Sequence, residues 1–64
     1  MKNTKLRICW SIGTDGILQA SAYKGLHFVG QPVLRYNVSE AVGMIVMRAL
    51  ETAKSVTITG VMQV

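Results

Sequence analysis

Lys5-Leu6-Arg7-Ile8-Cys9-Trp10-Ser11-Ile12-Gly13-Thr14-Asp15-Gly16-Ile17-Leu18-Gln19-Ala20-Ser21-Ala22-Tyr23 is the stretch on which the fold turns. Leu6, Ile8, Trp10 and Ile12 alternate with Lys5, Arg7, Cys9 and Ser11, the period-two pattern of a half-buried strand. Gly13-Thr14-Asp15-Gly16 is a turn signal, and Ile17 to Tyr23 reads as a second strand. The faces select the register. A two-residue Asp15-Gly16 loop would set Trp10 against Ser21 and Ile8 against Tyr23. A three-residue Thr14-Asp15-Gly16 loop sets Ile12 against Leu18, Trp10 against Ala20 and Ile8 against Ala22. The second keeps apolar with apolar and puts Gly16 where a left-handed residue closes the loop, so it is the register expected.

Outward from the hairpin, Leu26-His27-Phe28-Val29 is a short apolar run between Gly25 and Gly30, and Val33 to Tyr36 a second extended piece. Pro32 has no N–H for a ladder, so part of this segment is expected at an edge or in a loop. Asn37 is a good N-cap with Glu40 three residues on, the spacing of a capping box. Val38, Val42, Ile45, Val46, Ala49, Leu50 and Ala53 make one stripe at helical spacing, which predicts a helix from about Val38 to Lys54. Ser55 to Val64 is the last strand, with Val56, Ile58, Met62 and Val64 on one face and Thr57, Thr59, Val61 and Gln63 on the other. The expected fold is α+β in two layers: a mainly antiparallel sheet of three or four strands with one helix on one face, in the order ββ(β)αβ. Strand order stays open.

The chain has 64 residues, one domain at most, and a core of that size is marginal without a further support. Cys9 is the one cysteine and His27 the one histidine, so neither an internal disulfide nor a closed zinc site is expected. Half the residues are hydrophobic and mean hydropathy is +0.35, more apolar surface than one helix and one sheet readily hide. That favours a homodimer or a binding face. Net charge is +4, a weak pull toward nucleic acid or an acidic protein surface. The apolar patch after Lys2, Lys5 and Arg7 is broken by Ser11, Gly13, Asp15 and Gly16, so it does not read as a signal peptide. No apolar run approaches a membrane span. A lone free thiol fits a reducing cytoplasm.

The catalytic inventory is thin. Asp15 is explained by the turn, Glu40 by the helix cap, and Glu51 by its spacing from Arg48 and Lys54. A Cys9 nucleophile would need His27 as its base, and Cys9 reads better as a small residue packed in a sheet. The glycines lack the spacing and lysine of a phosphate loop. No enzyme activity, cofactor or metal is expected.

Two surfaces carry the functional expectations. On the outer helix face, Met44 and Met47 stand among Glu40, Arg48 and Glu51, and flexible methionines suit adaptable protein contacts. The open sheet face is expected to carry Lys5, Arg7, Ser11, Gln19, Ser21, Tyr23, Thr57, Thr59 and Gln63, with Arg7 opposite Tyr23 in cation–π range. Lys5, Arg7, Tyr23 and Lys24 would serve a nucleic acid there. A third arrangement packs two such faces together around Cys9, Ile17 and Val61. The leading expectation is a non-catalytic protein-binding module, homodimeric, using Met44, Met47, Arg48, Glu40 and Glu51. In size, hydrophobicity and charge the chain resembles the very small proteins of phages and mobile elements. That resemblance implies binding to and blocking a host complex, as anti-CRISPR and anti-restriction inhibitors do. No segment matches a family motif whose functional residues carry over.

Overall fold

A computed structural model describes residues 3–64. Four strands and one helix follow in the order β1 (Asn3–Ile12), β2 (Leu18–Lys24), β3 (His27–Arg35), α1 (Val38–Ala49) and β4 (Ser55–Gln63). They form one sheet in the order β3-β2-β1-β4. β1 pairs antiparallel with β2 and parallel with β4, and β3 is antiparallel to β2. β3 and β4 therefore point the same way from opposite edges, and α1 is the crossover that carries the chain over the two central strands. The α+β two-layer architecture is the one read from the sequence.

The hairpin has the expected register: Ile12 opposite Leu18, Trp10 opposite Ala20, Ile8 opposite Ala22 and Arg7 opposite Tyr23. Gly16 takes φ +81°, and the Ile17 amide donates to Asp15 Oδ1 at 3.0 Å, so each turn residue has a job. The helix cap also holds, with Asn37 Oδ1 accepting from the Glu40 amide at 2.9 Å.

The core lies between α1 and one sheet face. Leu6, Ile8, Leu18, Ala20, Ala22 and Val33 come from the sheet, and Ala41 and Ile45 from the helix. Three of these eight are alanines, small enough to let the helix axis settle close to the sheet. α1 sits mainly on β2 and β3 and touches β1 less.

Three expectations need correction. First, the helix is rotated from the expected stripe: Ala41 and Ile45 face the sheet, Val38, Val42 and Ala49 lie on one shoulder, and Met44 packs on the other. Leu50, placed on the stripe, is 46% exposed, because the small Ala41 and not a large side chain marks the line of closest approach. Second, the helix ends at Ala49 and not near Lys54. Glu51 and Thr52 donate back to Arg48 and Ala49 in a tighter turn, and Ala53 tucks inward. Ser55 must reach Asn3 to begin β4, which leaves no length for another helical turn.

Third, β4 carries a bulge. Leu6 pairs with Ile58 but Arg7 with Gly60, so Thr59 is the extra residue, its hydroxyl donating to the Leu6 carbonyl at 3.2 Å. One inserted residue exchanges the two faces downstream. Val61 and Gln63 join Ile8 and Trp10 on the helix side, and Met62 joins Cys9 on the open side, the reverse of the alternation expected. β3 is one strand with a two-residue bulge: Ala20 pairs with Val33 and Ala22 with Val29, leaving Gly30-Gln31-Pro32 opposite Ser21. Gly30 takes φ +68° there, and the bulge gives Pro32 its place without a ladder bond.

Met44 and Met47 separate the observed helix phase from the expected one. Met44→Glu should lower stability by about 2 kcal/mol or more, since it drives a charge against the core. Met47→Glu should stay within roughly 0.5 kcal/mol, as exposed substitutions do. Urea midpoints measure both, and equal tolerance at the two positions would contradict this packing.

Candidate binding face

One helix covers one side of a four-stranded sheet, so the other side is bare. Strand parity assigns to it Asn3, Lys5, Arg7, Cys9 and Ser11 from β1, Gln19, Ser21 and Tyr23 from β2, Phe28 and Leu34 from β3, and Thr57 and Met62 from β4. Phe28, Leu34 and Met62 are 49%, 56% and 52% exposed. Their apolar surface cannot join the core, because the sheet itself stands between.

A row of three side chains crosses this face from β1 to β3. The Arg7 guanidinium carbon lies 5.3 Å from the centre of the Tyr23 ring, a cation–π distance. The Tyr23 and Phe28 rings are 5.7 Å apart and tilted by 53°, a separation at which aromatic pairs attract. The row exists because Arg7 pairs with Tyr23 and Tyr23 with Phe28 across adjacent strands. Arg7 also reaches the Gly25 carbonyl at 3.5 Å, a long and weak contact. At the other end of β1, Asn3 accepts from the Ser55 and Thr57 hydroxyls at 2.8 and 3.2 Å.

The charge on this face is one-sided. Lys5 and Arg7 lie on it, while the chain's acids are elsewhere: Asp15 in the hairpin turn, Glu40 and Glu51 on the helix and its C-terminal turn. Lys24 does not belong with Lys5, Arg7 and Tyr23, since it pairs with His27 at the tip of β2 and has the opposite parity to Tyr23. Phe28 does belong. The apolar run Leu26-His27-Phe28-Val29 carries no register of its own in the sequence, and the signal for it is the two-residue Gly25-Leu26 connection that sets Phe28 against Tyr23.

The helix side separates the residues expected there. Met47 is 67% exposed and stands with Glu40 and Glu51, but Met44 is taken up in packing. Arg48 donates to the Gln31 carbonyl at 3.0 Å, tying the helix to the β3 bulge. Beside this bond lies a cleft of about 260 Å³, floored by Leu6, Ala22 and Ile45 and rimmed by Gln31, Arg48 and Thr52. That is below the ~300–1,000 Å³ of ordinary small-molecule sites.

Cys9 and His27 do not come together. Cys9 is in mid-sheet on the open face opposite Ser21, and His27 opens β3 on the other face. Among the described residues no three His, Cys, Asp or Glu side chains converge as a metal site would require, and no helix is long and apolar enough to cross a membrane. No protein-family model matches the chain, and neither a curated protein nor a solved structure gives a significant match.

If Arg7 stands ready for a partner, the fold does not depend on it. Its cation–π contact is at a surface, so Arg7→Ala should cost at most about 1 kcal/mol, or roughly 4–8 °C in melting temperature for a domain of this size. A larger loss by thermal unfolding would assign Arg7 to structure.

Proposed function

We propose that this chain is a small non-catalytic binding protein that lays its open sheet face against an acidic patch on a larger protein. One observation carries the reading: Arg7, Tyr23 and Phe28 form a continuous row on a bare face that holds two cations and no acid. Arg and aromatic side chains dominate the binding energy of protein interfaces, and Met and Phe are enriched in them. Leu34 and Met62 supply apolar contact on the flanking strands, and Gln19, Ser11 and Thr57 supply a polar rim. A chain of this size acts by occupying its partner's surface, the mode of an inhibitor from a phage or mobile element. The surface differs from the Met44–Met47 helix face because Met44 is spent on packing.

The adjacent aromatic rings also favour a second reading, stacking of single-stranded nucleic acid bases. Two cations neutralise few phosphates, so this binding would be weak.

The two readings separate in one set of variants. A partner captured from source cells by the wild type should be kept by Met47→Glu and weakened at least about tenfold by Arg7→Glu with Phe28→Ser. Retention by the double variant and loss with Met47→Glu would move the site back to the helix. Binding of a single-stranded oligonucleotide that collapses between roughly 50 and 200 mM salt would establish the second reading instead.

A further inference from the structure

The two edges of the sheet are built differently. An edge strand leaves alternate N–H and C=O groups without partners, and natural sheets guard such edges with charge, proline or bulges. β3 is guarded in all of these ways. Gly30-Gln31-Pro32 bulges out of register, Pro32 has no N–H to offer, Arg35 closes the strand, and Arg48 takes up the Gln31 carbonyl. β4 is not. It is nine residues long, and Ser55 to Val64 contains no charged residue and no proline. Its one irregularity, the Thr59 bulge, is filled by a hydrogen bond to Leu6 on the inner side. Val61 is 42% and Met62 52% exposed along it, on opposite faces of the sheet. α1 sits over β2 and β3, so the helix shields this edge less than the other.

We propose that two copies of the chain join along their β4 edges as an antiparallel pair, giving a continuous eight-stranded sheet. Charge selects this occupant and this geometry. The chain carries +4, so two copies repel unless their cations stay apart. Stacking the open faces would set Lys5 and Arg7 of both copies across a gap of ~10 Å with no acid between them. Edge pairing instead brings together the one long strand without charge. The two β1 strands that bear Lys5 and Arg7 are then three strand spacings apart, about 14 Å, and their charges stay in water, where the ~8 Å screening length at physiological salt applies; between stacked faces the same charges would be desolvated and screened far less. A two-fold axis normal to the sheet keeps both open faces on the same side. The assembly therefore presents two Arg7–Tyr23–Phe28 rows on one surface. The pairing stands on β4 alone; only the doubled surface rests on the function proposed above.

Sedimentation equilibrium in the micromolar range tests the pairing. The wild type should sediment at twice the 7.0 kDa of the chain. Thr57→Lys with Val61→Lys places lysines on the edge and should return a folded monomer, with circular dichroism reporting the fold. Arg7→Glu with Phe28→Ser should stay dimeric, which separates this interface from the open face. Should the lysine variant fail to fold, hydrogen exchange of the wild type decides: protection of residues 55–63 should rise with protein concentration. A wild type that is monomeric throughout, a folded lysine variant that still dimerises, or exchange in β4 that ignores concentration would each overturn the proposal.

Discussion

Everything in this molecule depends on β1 being paired on both sides and covered on one. Leu6 and Ile8 are almost wholly buried because they lie on the central strand beneath the helix, with Ala20, Ala22 and Val33 beside them. A twelve-residue helix is all the chain has to cover a four-stranded sheet, and it covers the side that holds these residues. Among the described residues no second layer lies on the other side. The other face is bare among the described residues, and Phe28, Leu34 and Met62 leave apolar surface on it.

The parts legible in the sequence were those decided by neighbours along the chain. The hairpin register follows from alternation on either side of a turn whose glycine needs a positive φ, and the helix start follows from Asn37. The parts that were not legible depend on where distant segments meet. A bulge leaves the side-chain pattern of β4 looking regular, yet it exchanges Val61 with Met62, and only the isolated Gly60 in a strand hints at it. The helix phase is hidden from the sequence in the same way. Val42, Val46 and Leu50 outweigh Ala41 on any hydrophobic scale, while the alanine-lined floor of the sheet makes a small residue the better contact.

The β4 bulge and the β3 register both shape the open face. With the bulge ignored, the open face exchanges Met62 for Val61 and gains Gln63; with the two extended pieces of residues 25–36 left without a register, it lacks Phe28 and Leu34. It then looks like a solvated polar surface with one aromatic, and the methionines of the helix become the sharper anomaly. The pairings of Tyr23 with Phe28, Gln19 with Leu34 and Cys9 with Met62 place three large side chains on the open face, and the helix phase takes one of the two methionines, Met44, into packing. Both changes favour the same surface. The contrast between a guarded β3 and a charge-free β4 adds direction: under the pairing proposed above, the sheet grows on the β4 side and the surface is enlarged, while the bulge, Pro32 and Arg35 disfavour growth on the β3 side.

The central claim is that the open sheet face is uncovered in the free protein and available to a partner. Solvent paramagnetic relaxation on the free chain tests it most directly, using a soluble spin probe and side-chain NMR signals. Phe28, Leu34 and Met62 should relax strongly, Leu6, Ile8 and Val33 hardly at all, and dilution should not change the contrast. Strong protection of Phe28, Leu34 and Met62 from the probe would show that this face is already covered, and would contradict the account.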